Sequence, residues 1–415
     1  MKSLKALALL ALTLAALVAI QAVAQTPEVK DPAEYNAYMS ALGMTNPSQK
    51  ASAMEGFLQQ YPNTVLKKDA LQQLMIAYQQ SGNGAKTTET ATKLVQADPA
   101  NVTGLYVLAD TARNKVEAGD TSQAASARQY GEQGLKALDS FAKPAGVSEA
   151  DFKKAKDQLS IAFNGAAGRG ALATKDFPAA QKYFLASVNT NSENLRDVYA
   201  LAVAYLSQRP IPVQGLWYIA RATALSKGTK DNAQIADYGK KSYYVYHGDN
   251  DGWDDLVAKA AASAAMPSDL DKTIKPAPTP AEQAAKIASK DPKELSFDDL
   301  QTIITYGDPA TVEKVMTEVK AAPIPYKALV ISADKTKLVM AATYDGVQNK
   351  TADMDVTMAA PIPPALMPKV GEQIGIQATV GSYDKTPYML HMVDGKLVRA
   401  KAPAPVHHPV HRKAN

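Results

Sequence analysis

The chain has no cysteine, only two tryptophans and only five histidines in 415 residues. Without cysteine there are no disulfide staples, no thiolate nucleophile, no thiolate-held metal centre and no lipid-modified N-terminal cysteine. The five histidines are His247, His391, His407, His408 and His411, and none stands in a G-x-S-x-G or H-E-x-x-H setting. Walker A, EF-hand and G-x-G-x-x-G strings are also absent. The nearest glycine cluster, Gly165-Ala166-Ala167-Gly168-Arg169-Gly170, has its spacing in the wrong order and lies in a helical pattern, not after a strand. These absences argue against nucleophilic hydrolysis and dinucleotide binding, so no catalytic, cofactor-binding or metal-ligating residue is expected and the chain is not expected to be an enzyme.

An excess of one charge is missing too. Lysine and arginine total 45 against 41 acidic residues, a formal charge of +4. Removing Lys2 and Lys5 lowers it to +2, too little to attract nucleic acid or anionic lipid by net charge alone. The only long apolar run is Ala6 to Ile20. It follows Lys2 and Lys5 and precedes Gln21-Ala22-Val23-Ala24, the basic, apolar and A-x-A parts of a secretory signal peptide. The expected cleavage follows Ala24 and leaves Gln25 as the mature N-terminus of an exported protein, periplasmic or secreted, with no stable membrane insertion.

What the chain does have, from Asp31 to about Pro267, is apolar residues at helical spacing, with short breaks of Gly, Asn or Pro. In Lys67 to Gln80, Leu71, Leu74, Met75 and Tyr78 share one face. Ser81-Gly82-Asn83-Gly84 then supplies a turn, and a second helix from about Lys86 to Ala97 ends at Asp98-Pro99. Further segments at Lys50 to Pro62, Leu105 to Ala112, Gln129 to Phe141, Val213 to Leu225, Ala233 to Tyr246 and Trp253 to Ala264 suggest five or six such hairpins. His247-Gly248-Asp249-Asn250-Asp251-Gly252 reads as the turn joining the last pair; its acidic residues lack the alternation and distant Glu of a calcium loop.

Leu71, Leu74, Met75, Tyr78, Thr87, Ala91, Leu94 and Pro99 stand at the spacing of W-x2-L-G-x2-Y, A-x3-F, P. This hairpin resembles a tetratricopeptide repeat, with Met75 in place of Gly, Thr87 in place of the first Ala and Ala91 in place of Phe. Gly168, Ala171, Lys175-Asp176-Phe177, Ala180, Phe184 and Ser187 resemble the same motif. The resemblance implies an α-α solenoid over 25–266 in which stacked neighbours complete each hairpin's core. It also implies a groove lined by the first helices, which would take a protein or peptide partner. The positions of this sequence that match the groove are Gln72, Gln79, Tyr106, Asp110, Arg113, Arg169, Arg196 and Tyr199.

Residues 267–322 begin with closely spaced prolines, read as a stiff polar linker, and continue as short helices at about Ala281 to Ser289, Phe297 to Tyr306 and Pro309 to Lys320. Ser296 is the expected N-cap of the second helix. From 323 to 400 the pattern changes to strands at Ala328 to Ser332, Leu338 to Thr343, Met354 to Met358, Gln373 to Val380 and Met389 to Val393, a small sheet or barrel. Lys369-Val370-Gly371-Glu372-Gln373-Ile374 and the segment Ser382 to Leu390 resemble OB-fold modules of the tRNA-anticodon-binding-like type, with Glu372 and Tyr388 in place of Asp and Phe. That resemblance implies a ligand face on which Tyr326, Tyr344, Tyr383, Lys385 and Tyr388 would act. Export makes a glycan or envelope polymer a more fitting ligand there than nucleic acid. Residues 401–415 form a His-, Pro- and Lys/Arg-bearing tail with too little apolar content to order itself.

The sequence therefore predicts a mainly α protein, a helical-repeat solenoid followed by a small β-barrel. Its expected role is an exported scaffold for protein–protein contacts, with ligand binding through the barrel as the rival reading.

Overall fold

The computed structural model describes residues 29–398. The expected signal peptide and the tail from 401 lie outside the described residues. Among the described residues there are seventeen α-helices and one closed barrel of five strands, and the chain divides into two compact units between Pro276 and Ala277.

The first unit is a run of helices: α1 (Pro32–Leu42), α2 (Pro47–Gln60), α3 (Lys67–Gln80), α4 (Gly84–Ala97), α5 (Val102–Glu117), α6 (Ala124–Asp139), α7 (Glu149–Ala173), α8 (Phe177–Thr190), α9 (Leu195–Leu206), α10 (Val213–Leu225), α11 (Asn232–His247), α12 (Trp253–Ala262) and α13 (Leu270–Thr273). Short side chains start many of them. Asn46, Asn83, Asn101, Ser148 and Asp176 each accept a hydrogen bond from a backbone amide of the first turn, satisfying a donor the helix cannot. From α1 to α10 each helix packs on its sequence neighbours, and α5 also packs on α7, as α7 does on α9. Such contacts build several apolar clusters along the unit, and in the largest Ala180, Phe184, Leu201, Leu216 and Trp217 join Trp253 and Leu256.

The boundary differs from the sequence reading, which began the linker at 267. Leu270 and Ile274, one helical turn apart, are buried in the core of the first unit, so residues up to Pro276 belong to it. Two apolar side chains outweighed the prolines around them.

In the second unit come α14 (Pro280–Ile287), α15 (Phe297–Tyr306) and α16 (Pro309–Val319), then β1 (Ile324–Ala333), β2 (Lys337–Ala341), α17 (Tyr344–Asn349), β3 (Met354–Met358), β4 (Gln373–Lys385) and β5 (Tyr388–Leu397). The barrel closes in the order β1-β2-β3-β5-β4; β3 and β5 run parallel and the other pairs antiparallel. Alternate residues point inward, as the period of a strand requires, and fill it with Val330, Leu338, Met340, Val356, Ile376, Val380, Leu390 and Met392. Leu300, Ile303, Val312, Val315 and Met316 belong to the same core, so α15 and α16 are part of the barrel unit and not of a linker. Ser296 caps α15 as expected, in a reciprocal box with Asp299. Helix α17, between the two strands expected on either side of it, is capped by Thr343, whose hydroxyl accepts from the Gly346 amide.

Candidate functional site

The groove residues expected from sequence separate into a connected group and scattered ones. α5, α7 and α9, the first helices of three successive hairpins, bring Asp110, Arg113, Arg169 and Arg196 together around Glu117, the last residue of α5. Arg113 Nε donates to Glu117 Oε1 at 3.2 Å and Arg169 Nε to the same oxygen at 3.1 Å. Arg196 donates from Nε to Glu117 Oε2 at 2.9 Å and from Nη2 to the Asn114 amide oxygen at 2.7 Å. Arg196 also lies 4.0 Å from Asp110, which accepts from Asn114 Nδ2 at 2.9 Å.

Beneath this cluster is a buried ion pair. Arg113 is 3% exposed and Asp197 0%, and Arg113 Nη2 donates to Asp197 Oδ1. Asp197 also accepts from the Ser187 hydroxyl and from Asn194 Nδ2, so both of its oxygens have donors. Two charges removed from water are tolerated when each has its partners, and removing one leaves the other at a cost of about 3–5 kcal/mol. The guanidinium reaches Asp197 by crossing α7 at Gly165, where a Cβ would overlap it. The glycines read as a doubtful dinucleotide motif thus serve helix packing: a Cβ at Gly168 would press on the Phe184 ring, and one at Gly170 on the backbone of Arg128.

The electrostatics follow from this geometry. Burial by itself would raise the Glu117 carboxyl, but Arg196, Arg113 and Arg169 together outweigh it and hold it at about 2. Tyr106, one turn before Asp110, is pushed the other way, mainly by burial and further by Asp110, with Arg196 opposing. The cluster contains arginines, carboxylates, amides and hydroxyls at hydrogen-bonding distance; it orients and neutralises charge.

The remaining expected residues lie apart. The Gln72 side chain accepts from Asn101 Nδ2 at 3.0 Å, Gln79 is exposed near the end of α3, and the Tyr199 ring meets the edge of Tyr238 with centroids 6.3 Å apart. Arg113 requires a correction: a side chain this buried has no surface to offer a partner, because its charge is spent on Glu117 and Asp197. Sequence reasoning missed Glu117, Asn114 and Asp197. The Arg113–Glu117 spacing of four along a helix was a visible signal. Asp197 lies 84 residues from Arg113, and no local pattern reports such a pairing.

A second concave feature, an open cleft of about 520 Å³, lies between α2 and α4 over α3. Leu58, Leu71 and Leu74 line it, with Lys67, Lys93 and Glu89 beside the Lys86–Glu55 pair at 3.1 Å. The expected turn after α11 is present: Asp249 accepts from the Asp251 amide, and the Asp251 carbonyl accepts from the Tyr243 hydroxyl. Comparison with protein-family models gives no match, and comparison with curated proteins gives none either.

Proposed function

We propose that this protein is an exported helical-repeat scaffold that binds a protein or peptide partner along the first helices of its hairpins, in the periplasm or outside the cell. The observation that carries this reading is the joining of Tyr106, Asp110, Arg169 and Arg196 by α5, α7 and α9 into one polar and aromatic cluster. Aromatic and arginine side chains held by neighbours lose little freedom when a partner arrives, which favours recognition. Repetition of hairpins with short capped turns supports the tetratricopeptide-like reading. The basic, apolar and A-x-A order of residues 1–24 supports export.

Crosslinking in envelope extracts tests it. Tyr106→Ala combined with Arg196→Ala is expected to remove the specific partner while leaving the helical circular dichroism intact, and an unchanged partner set excludes this face. Sequencing the N-terminus of the mature protein should begin at Gln25, and a start at Met1 counts against export.

The strand order β1-β2-β3-β5-β4, closed on itself, supports the OB-like reading of the second unit. Of the residues suggested for a ligand face there, Tyr326 is 9% exposed and only Tyr344 and Lys385 are fully at the surface. The proposed binding activity is therefore assigned to the helices and not to a glycan on the barrel.

A further inference from the structure

His391 on β5 stands between two carboxylates from the strands on either side. Its Nδ1 is 2.9 Å from Asp355 Oδ2 on β3, and its Nε2 is 3.1 Å from Asp384 Oδ2 on β4. A carboxylate only accepts, so both contacts are hydrogen bonds only if both ring nitrogens carry protons, and that is the imidazolium. A neutral ring keeps one donor and turns a lone pair toward the other carboxylate.

We propose that His391 is a proton-operated clamp which, when charged, ties β3 and β4 to β5 and, when neutral, releases the β4 side. The release is one-sided because the two carboxylates differ. Lys337 on β2 lies 3.2 Å from the same Asp355 oxygen, so Asp355 retains a cation and a single N–H from the ring. Asp384 has a side chain 66% exposed and no ion pair with another cation among the described residues. The charged groups on the ring are thus Asp355 from β3 and Asp384 from β4, with Lys337 behind Asp355; Asp394 and Lys396 lie farther along β5. Asp384 belongs to the last turn of the β4–β5 hairpin, where Lys385 pairs with Tyr388 and Asp384 with Met389. Freeing it loosens the hairpin end while the inward Leu390 and Met392 hold the barrel closed.

The direction of the pH response is fixed. Burial tends to lower the His391 value, and the two carboxylates overcome it, so the net shift is upward. A raised histidine stabilises the fold fully below its unfolded value of about 6.5 and loses that contribution as pH rises through the folded value. The clamp is therefore closed in mildly acidic medium and opens in alkaline medium.

Nitrogen-detected NMR of the full chain reads the ring directly. At about pH 6 both His391 ring nitrogens should be protonated, and Asp384→Asn should move the ring's titration to lower pH. Amide exchange, corrected for its intrinsic pH dependence, should show Lys385 to Leu390 losing protection about fivefold between about pH 6 and about pH 9, and His391→Gln should abolish that difference. A singly protonated ring at the lower pH, a titration unmoved by Asp384→Asn, or the same exchange profile in His391→Gln overturns the proposal. The ring measurement on the unaltered chain decides the matter even if a variant fails to fold.

Discussion

At Gly165 one missing methyl group sets what Arg113 can reach. A Cβ there would overlap the guanidinium that crosses α7 to Asp197. Gly165→Ala should therefore destabilise the first unit by about 3 kcal/mol, part overpacking and part a disturbed buried pair. Urea unfolding checks this through a lower midpoint with an unchanged slope. Glu117 gives a prediction of a different kind, since its carboxyl is held at about 2 against an ordinary value of 4.5. A depressed carboxylate contributes stability above its unfolded value and loses it as pH falls through the folded one. Allowing for screening by solvent around a partly exposed side chain, on the order of 2 kcal/mol should disappear between about pH 5 and about pH 2. Unfolding measured across that range should be less acid-dependent in Glu117→Gln, which starts from lower stability at neutral pH.

At the scale of the element, much was legible. Helices α3, α10 and α15 begin and end where their periodicity placed them, and β3 spans Met354–Met358 as the strand pattern indicated. These segments have local causes: apolar spacing, a Ser or Gly just after each helix and, for α15, Ser296 at its start. Where the cause is not local the reading fell short. Helix α17 contains Gly346, a residue that suggests a turn, and it forms where Asp353 accepts from the Ala342 and Thr343 amides beside it. A Cβ at Gly346 would overlap Asp353, so this glycine is needed for close approach and not for a turn. The turn between α7 and α8 shows the opposite case. Lys175 adopts φ 62°, a backbone conformation that favours glycine. Lys175→Gly should stabilise the protein by about 0.5–1 kcal/mol by relieving the left-handed strain, as thermal unfolding would show in a small rise in Tm.

At the scale of the molecule, the two units have separate cores. A core built from α15, α16 and the barrel should support folding by itself, so a fragment spanning 277–398 is expected to unfold cooperatively. Coincident near- and far-ultraviolet transitions would confirm it, and a featureless near-ultraviolet spectrum would show that this core depends on the helices before it. Composition and periodicity alone determined the mainly helical class, the change to strands after Pro323 and the absence of any cysteine chemistry, because these depend on residues within a few positions of one another. Only the tertiary structure decided that Leu270 and Ile274 belong to the helical core, that Arg113 is buried, and that His391 lies between two carboxylates. Each of those depends on a partner brought from far along the chain, and the pairing is set by how helices stack and strands register, which no short window of sequence contains.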